Sequence, residues 1–106
     1  MYATIRRYTP KTAATKGAID DFKHRIEDGF LPIVQELRGF HSYGAVNVGN
    51  KEIVTISIFE DKNGATESTR CAADFVKKDP MKDQLGSPEI LEGEMLVLKE
   101  AAVSAR

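Results

Sequence analysis

Arg6 and Tyr8 stand two residues apart in Tyr2-Ala-Thr-Ile-Arg-Arg-Tyr8, a stretch that alternates as a β-strand does, so both side chains leave the strand on one side. A guanidinium beside a phenol is equipped to bind a carboxylate or enolate oxygen, Arg6 supplying charge and Tyr8 a hydrogen bond. Ser57 and Phe59 are expected on the same face, joined by Thr55 and by Ser42 from the neighbouring run. Thr69, on a later helix, is a further candidate for the lining. The competing reading is a dimer interface, because Tyr and Arg are enriched at interfaces generally.

Other residues capable of chemistry form weaker constellations. His41 and Tyr43 also share a side of a strand, and a neutral His is a common general base. Their expected register turns them toward the helices, which gives His41 a structural role. His24, between Phe22 and Ile26, reads as a surface residue. Cys71 follows Arg70, a neighbour that can lower a thiol's pKa, yet beside Ala72 and Ala73 it reads as a small packing residue. No Ser-His-Asp triad or phosphate loop is legible, and two histidines with scattered acids predict no metal site.

The elements that must position these residues centre on Gly39 to Asp61. Two runs rich in β-branched and aromatic residues flank Gly49-Asn50, the signal of a β-hairpin. With Gly49 and Asn50 as the turn, Val46 faces Ile53, Gly44 faces Thr55, Ser42 faces Ser57 and Phe40 faces Phe59. Val54, Ile56 and Ile58 fall on the opposite face and form an expected floor for helices, with Ala3 and Ile5 of the first strand. The face with Ser42, Gly44, Thr55 and Ser57 is polar at its centre and aromatic at one end. A partner subunit, a ligand cavity or both would suit it.

A helix is expected from about Thr15, its N-cap, to Leu37, with Ile19, Phe22, Ile26, Phe30, Ile33 and Leu37 spaced three or four apart. Gly29 and Pro32 interrupt it, and Pro32 predicts a kink or break. Gly39 is the stop. A second helix, capped by Asp61 or Asn63, runs to about Lys78 with Ala65, Thr69, Ala72, Phe75 and Val76 inward, and Asp79-Pro80 ends it. Met81 to Leu85 is expected to form a helical turn, Gly86-Ser87-Pro88 a loop, and Ile90 to Lys99 the last strand. The order βαββαβ predicts an α+β, ferredoxin-like fold: a four-stranded antiparallel sheet with both helices on one face.

The chain's 106 residues make one domain, residues 1–100, with a frayed tail at 101–106. A net charge of −1 gives no electrostatic reason to expect nucleic acid or an anionic membrane as partner. No apolar run approaches the roughly 20 residues that span a bilayer. No signal peptide is expected, and a single cysteine fits a reducing cytoplasm. A domain this small gains from burying a face against a second copy.

Taken together, the residues resemble a family. Arg6-Arg7-Tyr8, Gly29-Phe30-Leu31-Pro32, Leu37-Arg38-Gly39-Phe40 and Tyr43 carry the likeness, with Ser57-Ile-Phe-Glu-Asp61, Ala65, Ser68, Ala72-Ala73 and Glu92-Gly93-Glu94. They resemble the antibiotic-biosynthesis-monooxygenase-like proteins of the dimeric α+β barrel superfamily, over nearly the whole chain. The resemblance implies a homodimeric barrel with a pocket between sheet and helices or between subunits. Relatives include cofactor-independent oxygenases of aromatic polyketides, quinol oxygenases and haem-degrading enzymes. The haem-degrading pattern needs an Asn, a Trp and a His near Arg6, Phe59 and Thr69; none is present. Two readings follow. One is a cofactor-independent oxygenase whose cationic and hydrogen-bonding groups stabilise the anion of a phenolic or quinol substrate. The other is a non-catalytic dimeric barrel that binds a small apolar ligand or acts as an interaction module.

Overall fold

The computed structural model describes residues 1–9, 16–49, 52–78 and 87–100. Strand β1 (Tyr2–Tyr8) lies between β3 (Glu52–Phe59) and β4 (Glu89–Glu94), and β2 (Phe40–Gly49) flanks β3. The order is β2-β3-β1-β4 and every pair is antiparallel. Helices α1 (Lys16–Arg25), α2 (Leu31–Val34) and α3 (Lys62–Lys78) complete the α+β, ferredoxin-like fold. Among the described residues, no helix is long and apolar enough to cross a membrane.

The helices cover the opposite face from the one expected. Thr4, Arg6, Tyr8, Ile53, Thr55, Ser57 and Phe59 are buried beneath them. Val54, Ile56 and Ile58, with Ile5, lie on the uncovered face. Hydrophobicity alone favours the reverse, but α3 decides otherwise. Its inner stripe is small: Gly64, Ala65, Ser68 and Ala72 are buried. That stripe leaves room for Arg6 and supplies acceptors. Thr4 Oγ1 donates to the Ala65 carbonyl at 3.5 Å, and Arg6 Nη2 donates to Ser68 Oγ at 2.9 Å.

The hairpin register also departs from expectation by one residue. Tyr43 pairs with Ser57, Ala45 with Thr55 and Asn47 with Ile53, and Gly49 pairs with Glu52 inside the ladder. Gly49 opposite Glu52 is two residues off the expected register, and a bulge between Asn47 and Gly49 takes one of them back. Gly49 adopts φ +89°, and its N–H donates to Asn47 Oδ1 at 3.1 Å, the left-handed glycine geometry of such bulges. A second bulge at His41 restores the expected pairing of Phe40 with Phe59. The inserted residues therefore turn Tyr43 onto the face of Ser57 and move Ser42 off it. Asn50 lies outside the described residues.

The first helix does break near Pro32, through a wide turn. After α1, Ile26–Phe30 form a π-helical turn in which the Leu31 N–H donates to the Ile26 carbonyl, and Pro32 then sits in the first turn of α2. The wide turn absorbs the missing proline donor. Gly29 sits within it, against the Phe75 ring. The segment ends at Gly39, φ +81°. Thr15 falls outside the described residues. For α3, Asp61 Oδ1 accepts the Gly64 N–H at 3.0 Å, a side-chain N-cap.

The last strand is shorter than expected. Its partner β1 begins at Tyr2, so pairing ends with the Met95 N–H on the Met1 carbonyl at 2.9 Å. Residues 95–100 continue without a ladder, with Leu96 91% and Val97 82% exposed. They reach the far edge of the sheet, where Glu100 Oε1 lies 2.6 Å from His41 Nε2. Met81 to Leu85, Asp79-Pro80 and the tail at 101–106 lie outside the described residues.

The contact of α3 with the sheet makes Gly64 sensitive. A Cβ there would stand 2.5 Å from Phe59 Cδ2 and 3.0 Å from the Arg38 carbonyl. Gly64→Ala is expected to cost about 1–3 kcal/mol by overpacking, more than the ~1 kcal/mol that alanine gains in a helix. Urea denaturation checks this; an unchanged midpoint would mean that Phe59 yields freely.

Candidate functional site

Arg6 is the organising charge of the interior. It is 1% exposed, and among the described residues no carboxylate lies within ion-pair distance of it. Its partners are hydroxyls. Nη1 donates to Thr55 Oγ1 at 3.5 Å and Ser57 Oγ at 3.3 Å, and Nη2 donates to Ser68 Oγ. Ser68 donates its own O–H to the Ala65 carbonyl at 2.7 Å, which leaves its lone pairs for the guanidinium. Nε, though buried, has no partner. Burial pulls the Arg6 pKa below its usual value of 12.5, against the raising influence of Tyr8, Tyr43 and Glu92. Glu92 itself is exposed and accepts from Thr66 Oγ1 at 3.2 Å.

The two tyrosines are held neutral beside this charge. Burial pushes the Tyr8 phenol up from 10.0, with Arg6 pulling the other way. Burial also pushes Tyr43 up to about 12, against the Arg6 charge and a hydrogen bond with Thr55. Both hydroxyls remain donors through the neutral range. Tyr43 is braced by the Phe30 ring, 5.5 Å away and tilted by 59°.

Space surrounds the group on both sides. A void of about 10 Å³, the room of one water, is bounded by Arg6, Tyr8, Tyr43, Thr55, Phe30 and Phe75 among others. A groove of about 370 Å³ opens between α3 and the β1–β4 edge, with Arg6 and Tyr8 at its base and Thr69, Ala73, Lys77 and Pro88 along its walls. A second groove, about 360 Å³, opens between α1 and β2 and is mainly apolar: Ile19, Phe22, Ile26, Leu31 and Ile53, with Tyr43.

Arg6, Tyr8, Thr55, Ser57 and Thr69 thus lie together, on the helix-covered side of the sheet and not on its uncovered side. Tyr43, a secondary candidate from sequence, stands with them because of the bulge. Ser42 is a correction: it pairs with Ile58 on the far face. Phe59 is also set apart, fully buried in the core against Phe40, ring centroids 5.7 Å apart. His41 occupies the bulge, its Nδ1 3.1 Å from Ser42 Oγ and its other nitrogen at Glu100. Ser68 was missed as a site residue; its spacing of three from Ala65 and four from Ala72 on one helical face was the available signal. Cys71 is half-buried, and burial raises its thiol despite Arg70, which is itself engaged by Glu67 and Asp74. Among the described residues, no group of three or more His, Cys, Asp or Glu could hold a metal ion.

The ferredoxin-like fold is shared with solved structures that include monooxygenases. No family model matches the chain, and no curated protein matches its sequence. Among solved structures, it is similar to a monooxygenase from the gene ActVA-Orf6 of Streptomyces coelicolor, in complex with nanaomycin D: TM-score 0.65, 13% identity, covering 93% of this chain and 92% of that one. A Bordetella bronchiseptica protein provisionally described as an antibiotic biosynthesis monooxygenase matches with TM-score 0.67 and 15% identity over 91% and 97% of the two chains. NE2512 of Nitrosomonas europaea, a protein of unknown function, matches with TM-score 0.71 and 23% identity over 95% and 94%.

The raised tyrosine pKa values set an alkaline limit. Tyr43 ionises at about 12 when folded and near 10 when unfolded. Its contribution to stability is therefore complete below pH 10 and is lost as pH rises through 12, at up to about 1.4 kcal/mol per pH unit between. Denaturation midpoints between these pH values should fall less steeply in Tyr43→Phe than in the parent. Parallel curves would refute the assignment.

Proposed function

We propose that this protein is a small cytoplasmic oxidoreductase, a cofactor-independent monooxygenase-like enzyme acting on a phenolic, quinol or polyketide-like aromatic. The observation that carries this reading is the buried Arg6 guanidinium, with no carboxylate among the described residues within ion-pair distance, set beside neutral Tyr8 at the base of a groove and near neutral Tyr43. Such a group favours an anion, and an aromatic anion is the species that reduces dioxygen without a metal or flavin. The fold shared with monooxygenases supports the reading but does not by itself carry it.

In this reading the phenol gives its proton to solvent as it binds and Arg6 stabilises the oxyanion, with Tyr8 as hydrogen-bond donor. The phenolate gives one electron to O2, and the ring radical and superoxide join as a carbon-bound peroxide. The peroxide takes up the proton and loses water, leaving a quinone. One phenol and one O2 give one quinone and one water. The walls formed by Ala72, Ala73, Val76 and Ile90 would keep bulk water from the peroxide.

The test is oxygen uptake by purified protein with phenols and quinols, alongside thermal-shift binding. Arg6→Met preserves bulk while removing an uncompensated cation. Its stability should stay within about 2 kcal/mol of the parent or exceed it, while binding of ionised phenols weakens at least about tenfold. Unchanged binding would remove Arg6 from the site. Binding without oxygen uptake would leave the non-catalytic ligand-binding barrel as the function.

The same proposal includes a homodimer, closed through the uncovered face around Ile5, Val54, Ile56 and Ile58. A charge there, as in Ile56→Lys, should convert a dimer in sedimentation into a monomer. A monomeric parent would end the barrel architecture.

A further inference from the structure

The groove that ends at Arg6 is asymmetric in charge. Along α3 its wall is Thr69, Ala73 and Lys77, residues that recur every four positions on one helical face. From Thr69 to Lys77 the helix rises about 12 Å. Arg6 closes the inner end, where Ser68 holds it, and Lys77 stands exposed at the outer end. Between them the surface is apolar or hydroxylic. Among its described lining residues there is no acid, although the chain has 16 Asp and Glu in all. Two cations on one groove, separated by apolar and hydroxylic walls, describe a ligand acidic at both ends.

We infer that Lys77 is a second anchor of this site, and that the ligand is an elongated aromatic with an ionisable oxygen held by Arg6 inside and a second acidic group, such as a carboxylate, held by Lys77 at the mouth. The inference rests on the aromatic-anion reading of the Arg6 pocket and narrows its substrate class. Lys77 is solvated, so its effect is that of an exposed ion pair: modest, and screened by salt.

The probes are para-coumarate, a phenol with a carboxylate at the far end of a conjugated arm, and its neutral methyl ester. At low ionic strength the acid should bind about three- to fivefold tighter than the ester. That advantage should vanish in Lys77→Gln, persist in Lys77→Arg, and shrink in high salt. Lys23→Gln, on the rim of the other groove, should leave it intact. Equal binding of acid and ester, an advantage that survives Lys77→Gln, or an equal loss in Lys23→Gln would each overturn the anchor. Failure of both probes to bind would overturn it together with the anion pocket. Selective acid binding without oxygen uptake by any phenol would support the anchor and defeat only the oxygenase reading.

Discussion

The rest of the molecule is arranged around one interaction, the solvation of a buried guanidinium by hydroxyl groups. Moving a cation out of water costs several kcal/mol after relaxation. Hydrogen bonds to a charged group return about 1.5–3 kcal/mol each when well formed. Of the bonds made by Arg6, only that to Ser68 is short; those to Thr55 and Ser57 are 3.3 Å or longer. Compensation is therefore partial, as the lowered pKa and the unpartnered Nε both indicate. A fold built only for stability would place an apolar side chain here. The interior instead keeps a positive field in a dry place, next to grooves that a ligand can reach.

That choice propagates outward. Strands β1 and β3 must turn hydroxyls and not branched aliphatics toward the helices, and α3 must present small residues so that Arg6 fits between layers. The isoleucines and valines displaced from this side accumulate on the other face. The site and the exposed apolar sheet are thus two consequences of a single orientation of the strands. The bulges in β2 extend the same logic, since they bring Tyr43 to the charge and brace its ring on Phe30.

The order of elements, the antiparallel pairing, the break at Pro32, the stop at Gly39 and the cap at Asp61 were legible in the sequence, because each follows from a local rule of backbone chemistry. The grouping of Arg6 and Tyr8 with Ser57 was legible too, being simple alternation. The side on which that group lies was not. Counting apolar residues favours Val54, Ile56 and Ile58 as the inner set, whereas Tyr8, Ile53 and Phe59 on the other side join the core, with Arg6 held there by Ser68. Tyr43 and Ser42 exchanged places for a similar reason: an extra residue between Asn47 and Gly49 flips the side chains from Asn47 back to Ser42, and alternation cannot reveal where a ladder will bulge. The end of β4 depended on how far β1 extends, a property of another segment.

The wide turn before Pro32 has a geometric consequence. Phe22, Ile26, Phe30 and Val34 follow one another at intervals of four, and all are buried. In an unbroken α-helix, steps of four residues rotate by about 40° each, so the last of them would be swung about 120° away from the first. A turn that closes over five residues rotates the chain less per residue and winds that drift back. The segment works as a vernier: it lets a strict four-residue rhythm face one floor along its whole length. Deleting a single residue between Ile26 and Phe30 would shift the phase of everything downstream, swinging Phe30 away from Tyr43 while leaving the composition of the core almost unchanged.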